Sequence, residues 1–207
     1  MNYEELIESL IKEGYLKTPL IIEAFKKIDR KDFVPEELGE RAYENTALPI
    51  GNKQTISQPL VVAFMLELLE LKFGEKVLEI GTGSGWNTAL MAKLVGESGK
   101  IFSIERIEEL HQFAKANLLK YGFLERGVAG LLVADGSKGF NDAAPYDKII
   151  AAAAAEEIPG VWKEQLKIGG RIVAPVKNSI VVLDKISVDK FERKEYFGFS
   201  FVPLVVS

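Results

Sequence analysis

The sequence contains no cysteine and a single histidine among its 207 residues. Without cysteine the chain has no disulfide framework, no thiol nucleophile and no thiolate metal ligand. One histidine cannot build a metal centre that depends on a histidine cluster. We therefore expect no metal site.

The chain also lacks an excess of positive charge and a long apolar run. Its 26 basic and 30 acidic residues give a net charge of −4, whereas nonspecific nucleic-acid binding needs a basic surface. No apolar run reaches the length of a membrane span, and Met1 to Gly14 lacks the pattern of a signal peptide. We expect a cytoplasmic protein that binds neither nucleic acid nor membrane.

Strand and helix signals alternate through the middle of the chain. Helical stretches separate five apolar runs of strand length, which are Val77–Ile80, Ile101–Glu105, Leu131–Ala134, Lys148–Ala152 and Arg171–Pro175. Such alternation is typical of a sheet of parallel strands with helices packed on it. We predict an α/β fold with a doubly wound, mostly parallel sheet.

The two flanks of this region have different patterns. Short amphipathic helices and a turn-rich stretch precede a buried helix predicted at Leu60–Leu71. Beyond Ser179, β-rich runs without helices predict an antiparallel edge. The length favours a single domain, in which we distinguish an N-terminal helical cap with an active-site loop (1–75), a cofactor-binding core (76–176) and a C-terminal β edge (177–207).

A glycine-rich loop, Gly81–Gly85, follows the first predicted strand and leads into a helical stretch. Its glycines let the backbone approach a ligand. Trp86 occupies the place of the third glycine of the dinucleotide fingerprint, so a phosphate-bearing cofactor is disfavoured. Glu79 suits a cationic group instead, and S-adenosylmethionine carries an ammonium and a sulfonium. The alternative is a tight turn without a ligand.

Two acidic residues end the following predicted strands. Glu105 stands where doubly wound folds bind ribose hydroxyls, and Asp135, followed by Gly136, could accept the adenine amino group. The alternatives are a solvated surface carboxylate at Glu105 and an ordinary Asp-Gly turn at Asp135. We expect His111 to lie on a solvated helix face, with no role in catalysis.

The polar segment Gln54–Pro59 precedes the Leu60 helix. Ser57 could act as the helix N-cap, with Pro59 in the first turn. That interpretation leaves Gln54 and Thr55 without a role.

With this segment in view, the sequence resembles the protein-L-isoaspartate O-methyltransferase family over nearly its whole length. The matching stretches are Asp32–Pro35, Ala42–Gly51, Gln54–Pro59, Leu78–Gly85, Pro145–Ile150, Gly169–Arg171 and Phe201–Leu204. Gln54–Pro59 is the most specific of them, because many methyltransferases share the glycine loop. The sequence departs from the family pattern at Glu44, Ala151, Ala152 and Ser200, which concerns the rim of the substrate site.

The resemblance implies a Rossmann-like class I methyltransferase that uses S-adenosyl-L-methionine. Its substrate would be the free α-carboxylate of L-isoaspartyl residues in peptides and proteins, and Ser57 would be the catalytic residue. The candidate cofactor-binding residues are Ile56, Ser57, Gln58, Glu79, Gly81, Gly83, Glu105, Arg106, Asp135 and Gly136. We expect a monomer.

Such a reaction needs no general base, since a carboxylate with a pKa of about 4 is already ionised at neutral pH. Two other functions fit part of the sequence. One is a different class I methyltransferase acting on a small molecule or RNA, and the other is an inactive cofactor-binding scaffold. The specific segment Gln54–Pro59 argues against the first, and the presence of both Ser57 and Glu79 argues against the second.

Overall fold

Nine strands form two sheets in the computed structural model, which describes residues 1–206. The strands are β1 (Leu48–Gly51), β2 (Gln54–Ile56), β3 (Lys76–Ile80), β4 (Lys100–Glu105), β5 (Ala129–Val133), β6 (Tyr146–Ala151), β7 (Leu166–Val176), β8 (Ser179–Lys185) and β9 (Phe191–Phe197). The large sheet has the order β5-β4-β3-β6-β7-β8-β9. Strands β3 to β7 are parallel, and β8 and β9 complete one edge in antiparallel pairing.

Helices cover both faces of this sheet. They are α1 (Tyr3–Lys12), α2 (Pro19–Lys27), α3 (Pro59–Leu69), α4 (Trp86–Val95), α5 (Glu108–Leu119) and α6 (Gly160–Gln165). Successive residues of a strand point to opposite faces, so Val77 packs in the cluster with α1 to α5 and Leu78 in the cluster that contains Trp162. The doubly wound α/β fold predicted from the sequence is confirmed.

The chain changes direction across the sheet at β3. Ile80, the last residue of β3, pairs with Ile104 on one side and Ala151 on the other, while the chain reaches β4 and β6 by crossovers in opposite directions. Ligands of open α/β sheets bind at such switch points, beyond the carboxyl ends of the strands. The loop after β3 is therefore placed where a cofactor site is expected.

The polar segment before α3 belongs to a small hairpin. β1 and β2 pair antiparallel, with Leu48 opposite Ile56. Asn52 and Lys53 form the two-residue turn with φ of 50° and 58°, the left-handed conformation that tight hairpins need. Gln54 and Thr55 are thus strand residues, which the turn-rich pattern of their sequence concealed.

The C-terminal segment departs from the predicted edge. It leaves the sheet after Phe197 and runs back to the carboxyl ends of the strands, where Ala154 N donates to Val202 O at 2.8 Å and Leu204 N donates to Ala154 O at 2.7 Å. The prediction of antiparallel strands is confirmed for β8 and β9 and is wrong for residues 200–205. The three-part division of a single domain stays a prediction. Within residues 1–206, no helix has the length and apolar character needed to cross a membrane.

Candidate active site

A cavity of about 440 Å³ opens at the carboxyl ends of β3 and β4. Four parts of the chain supply most of its wall: residues 54–58, which precede α3, the glycine loop, residues 104–107 and residues 200–205. Its volume lies in the range of small-molecule sites. The two regions that the sequence singled out, Gln54–Pro59 and the glycine loop, therefore meet at one cavity.

The glycine loop presents backbone to this cavity. Gly81, Gly83 and Gly85 have φ of 90°, 55° and 86°, a region that residues with a Cβ rarely adopt. The loop is fixed from below, because the amide nitrogens of Gly81 and Thr82 donate to Ile104 O at 2.8 and 3.2 Å. Gly81 and Gly83 lie on the wall, and neither adds a side chain that would fill the space.

Glu105 lies on the wall and is 5% exposed, so it is not a solvated surface group. Its Oε2 accepts the amide of Gly83 at 2.9 Å, and its Oε1 accepts the amides of Arg106 and Ile107 at 2.9 and 3.1 Å. A carboxylate offers about four acceptor positions. Glu105 thus holds the loop in place and keeps acceptor capacity for a hydroxyl of a ligand.

Glu79 lies beneath the cavity and is fully buried. Its carboxylate accepts hydrogen bonds from Asn87 Nδ2 at 2.8 Å, Ser103 Oγ at 2.7 Å and Thr88 Oγ1. Burial raises the pKa of Glu79 to about 7, hydrogen bonds from Thr88, Ser103 and Asn87 oppose the shift, and the charge of Glu105 adds to it. Glu79 does not line the cavity, whereas Asn87 lies on the wall and donates its amide to Glu79, so the contact of Glu79 with a cationic ligand stays a prediction.

The buried carboxyl of Glu79 predicts a pH dependence of stability. Because its folded-state pKa lies above the ordinary value of 4.5, the folded protein keeps a proton that the unfolded chain releases. Its contribution to stability therefore falls as the pH rises from about 4.5 to about 7. Glu79→Gln should remove this part of the pH dependence. The measurement is the free energy of unfolding in urea at about pH 5 and at about pH 8.

The matched control is Glu164→Gln, which changes an exposed carboxylate and should keep the wild-type pH dependence. The prediction would be contradicted if the free energy of unfolding of Glu79→Gln differed between the two pH values by as much as that of the wild type.

Asp135 and Gly136 differ in their position relative to the cavity. Asp135 Oδ1 accepts Ser137 N at 2.9 Å and Ser137 Oγ at 2.7 Å, and its Oδ2 lies 3.6 Å from Lys138 Nζ. These contacts form the Asp-Gly turn that was the alternative interpretation. The side chain of Asp135 does not line the cavity, whereas Gly136 does.

Arg106, which precedes α5, and His111, which lies in α5, have different environments. Arg106 is exposed and lies on the wall of the cavity. His111 lies outside the wall, with a side chain 14% exposed and its Nδ1 3.8 Å from Glu108. The prediction of a solvated face for His111 is wrong.

Ser57 is not the cap of α3. The N-cap residue is Gln58, whose own side chain makes no capping bond. Asn45 Oδ1 accepts the amide of Leu60 at 3.0 Å, and Gln58 Nε2 donates to Asn45 O at 2.9 Å. The Ser57 side chain is half-buried on the wall, and its hydroxyl makes no hydrogen bond within residues 1–206.

Sequence reasoning missed several residues that build the site. Asn45 caps α3, Asn87 replaces Glu79 on the wall, and Arg30 bonds the main chain of Ser57. Asn87 and Arg30 have no recurring spacing that would distinguish them from surface residues, whereas Asn45 lies in the matching stretch Ala42–Gly51. Residues 200–205 carried one signal, the family resemblance of Phe201–Leu204.

The switch-point cavity, the glycine loop and the carboxylate at the end of β4 are shared by Rossmann-like folds that bind a nucleoside cofactor, and the family match assigns the chain to the class I methyltransferases that use S-adenosylmethionine. The family model described as protein-L-isoaspartate(D-aspartate) O-methyltransferase matches residues 1–207. The chain belongs to this family.

Individual relatives agree with the family model. A protein-L-isoaspartate O-methyltransferase of Ignicoccus hospitalis is 49% identical over 205 residues, covering 97% of this chain and 96% of its own. That of Methanopyrus kandleri is 44% identical, with 98% and 90% covered. A crystal structure of a Plasmodium falciparum protein assigned to the same activity, in complex with S-adenosyl-L-homocysteine, has a TM-score of 0.89 at 22% identity and covers 99% of both chains. This last likeness establishes the fold.

Proposed function

We propose that this protein transfers a methyl group from S-adenosylmethionine to the free α-carboxylate of L-isoaspartyl residues, and that Ser57 orients this carboxylate. Membership of the family supports the reaction. The observation that carries the role of Ser57 is its position on the wall of the cavity with a hydroxyl that makes no hydrogen bond in the described chain. A neutral donor can aim a carboxylate without the strong ground-state stabilisation that Lys or Arg would add.

The cavity suits a reaction that needs positioning and no proton transfer. Its titratable wall residues among residues 1–206 are Glu105 and Arg106, and a substrate carboxylate with a pKa of about 4 is ionised without their help. S-adenosylmethionine, when bound, supplies an electrophilic methyl group on a sulfonium. Holding a nucleophile in line with its target can lower a barrier by about 7 to 11 kcal/mol.

Apolar wall residues support the same reaction. Ile56, Val62, Ile80, Phe201 and Leu204 line the cavity. Because a negative carboxylate and a positive sulfonium neutralise each other during methyl transfer, surroundings that exclude water favour the transition state over the separated charges. The wall therefore shields the reacting groups while Ser57 aims the acceptor.

Different wall residues suit the ribose, the amino-acid end and the adenine of the cofactor. Glu105 is proposed to accept the ribose hydroxyls, because it has acceptor capacity beyond its three amide contacts. The backbone of Gly81 and Gly83 would approach the amino-acid end of the cofactor, with Asn87 beside it. Gly136 would lie at the adenine.

The remaining candidate residues have supporting roles in this proposal. Ile56 is buried on the wall and would contact the cofactor by packing. Gln58 also lies on the wall, but its amide nitrogen is bonded to Asn45 O, so it chiefly fixes the loop. Asp135 would support Gly136 through its turn, and Arg106 would lie at the rim.

The cellular setting is part of the proposal. The net charge of −4 supports a protein that does not bind nucleic acid nonspecifically. We propose a cytoplasmic monomer whose partners are damaged peptides and proteins. Sedimentation analysis at micromolar concentration tests the monomer, and a dimer would overturn it.

The decisive test compares two peptides that differ at one residue. Labelled S-adenosylmethionine is incubated with a peptide containing L-isoaspartate and with its aspartyl twin. We expect strong labelling of the first and almost none of the second, because the twin presents no free α-carboxylate within the chain. Labelling of both alike, or of neither, would overturn the proposed substrate and favour a methyltransferase for a small molecule or RNA.

A further inference from the structure

Arg30 is a buried charge with an unusual set of partners. Its side chain is fully buried, and within residues 1–206 it forms no ion pair with a carboxylate. Nη1 donates to Ala42 O at 2.6 Å and Glu44 O at 3.3 Å, and Nη2 donates to Thr46 O at 2.9 Å and Ser57 O at 3.1 Å. Every partner is a main-chain carbonyl.

These carbonyls belong to the two ends of one excursion of the chain. Residues 42–46 precede the β1–β2 hairpin, and Ser57 follows it directly. A planar guanidinium presents its donors in a rigid fork, so the bonds fix the distance between the two ends. Arg30 therefore closes the base of the hairpin from inside.

Arg30 also contacts the cofactor side of the cavity. Its guanidinium carbon lies 5.4 Å from the centre of the Trp86 ring, and Trp86 is the first residue of α4, directly after the glycine loop. One side chain thus touches the main chain of Ser57 and the helix that follows the loop.

This arrangement is poorly suited to stability alone. Burial lowers the pKa of Arg30 to about 10, so the group is still charged at neutral pH, and removing a charge from water is costly. Its Nε is buried without a hydrogen-bond partner in the described part of the chain. An apolar side chain of similar volume would avoid both costs but could not fix the carbonyls.

We propose that Arg30 is a positioning residue, which sets the main chain of Ser57 at a fixed distance from the glycine loop and so places the hydroxyl for methyl transfer. This inference rests on the proposed role of Ser57. A misplacement of about 1 Å in such a geometry can cost about a hundredfold in rate.

The first variant is Arg30→Lys, which keeps the positive charge but loses the fork. We expect its turnover on an isoaspartyl peptide, per folded molecule, to fall at least about tenfold. Its affinity for S-adenosylhomocysteine, measured by calorimetry, should stay within about twofold of wild type, because Glu105 and the glycine loop are intact. Wild-type turnover in Arg30→Lys would overturn the proposal. A loss of affinity for S-adenosylhomocysteine as large as the loss of turnover would also overturn it.

Lys185 offers a matched control. It is also a buried cation, 7% exposed, whose Nζ donates to Lys163 O at 2.6 Å and Leu166 O at 2.8 Å and lies 5.8 Å from the Phe191 ring centre. It does not line the cavity. Lys185→Met should lower the melting temperature and leave turnover per folded molecule unchanged. A similar turnover loss in this control would show that general destabilisation explains Arg30→Lys.

A double variant separates positioning from structure. If Arg30 acts through Ser57, Arg30→Lys should lower turnover little further in a Ser57→Ala background. Full additivity of the two losses would overturn the proposal. Failure of wild type to label the isoaspartyl peptide would instead refute the proposed function, and the two failures are therefore distinguishable.

Discussion

Ser57→Ala is expected to lower turnover on an isoaspartyl peptide at least about tenfold while the melting temperature stays at the wild-type value. The hydroxyl has no protein partner in residues 1–206, so its removal breaks no internal hydrogen bond. Had Ser57 been the helix cap, the same change would cost about 1 kcal/mol of stability. Single-turnover kinetics and thermal unfolding of the same sample measure both quantities.

Ser57→Asp gives the sharper result. An aspartate at this position would place a negative charge beside the substrate carboxylate, and at about 4 Å such repulsion reaches about 4 kcal/mol for partly buried pairs. Turnover should fall at least about a hundredfold, while affinity for S-adenosylhomocysteine is largely kept. An Asp variant with wild-type turnover would exclude any contact between residue 57 and the substrate carboxylate.

Glu105→Ala is expected to weaken cofactor binding and stability together. A hydrogen bond to a charged group contributes about 1.5 to 3 kcal/mol, so losing the ribose acceptor should reduce the affinity for S-adenosylhomocysteine about tenfold or more. The amides of Gly83, Arg106 and Ile107 also lose their acceptor, which should lower the melting temperature by several degrees. Calorimetry and thermal unfolding test the two effects.

The matched control is Glu125→Ala, which changes an exposed carboxylate. It should change neither the affinity nor the melting temperature measurably. Wild-type affinity in Glu105→Ala would refute the assignment of Glu105 to the ribose.

The sequence predicts the core sheet well because apolar runs of strand length record burial directly. The predicted and observed bounds agree within one residue for β3 and β4 and within two residues for β5 and β6. β7 begins at Leu166, five residues before its predicted start at Arg171, because Gly169 and Gly170 weaken the strand signal there. A register shift against β6 accompanies this irregular start.

The sequence predicted which residues lie near the site better than it predicted their contacts. Position at a strand end identified Glu79, Glu105 and Asp135, but it does not say where each carboxylate points. Glu79 turns inward because Ser103 and Thr88, on other elements, supply donors to it, and such partners are invisible in a single sequence. The role of Arg30 was not predicted for the same reason, because its partners are main-chain carbonyls, which every residue has.

The two sides of the cavity come from different parts of the chain. Residues 80–87 and 104–107, on the proposed donor side, lie within the parallel core, whereas residues 54–58 and 200–205 lie outside it in sequence and pack onto it. In the proposed assignment, most of the donor side therefore comes from the sheet and its loops, and the residue that orients the acceptor comes from an outer segment. Changes in residues 200–205, which have no proposed cofactor contact, would then alter the acceptor side without rebuilding the sheet.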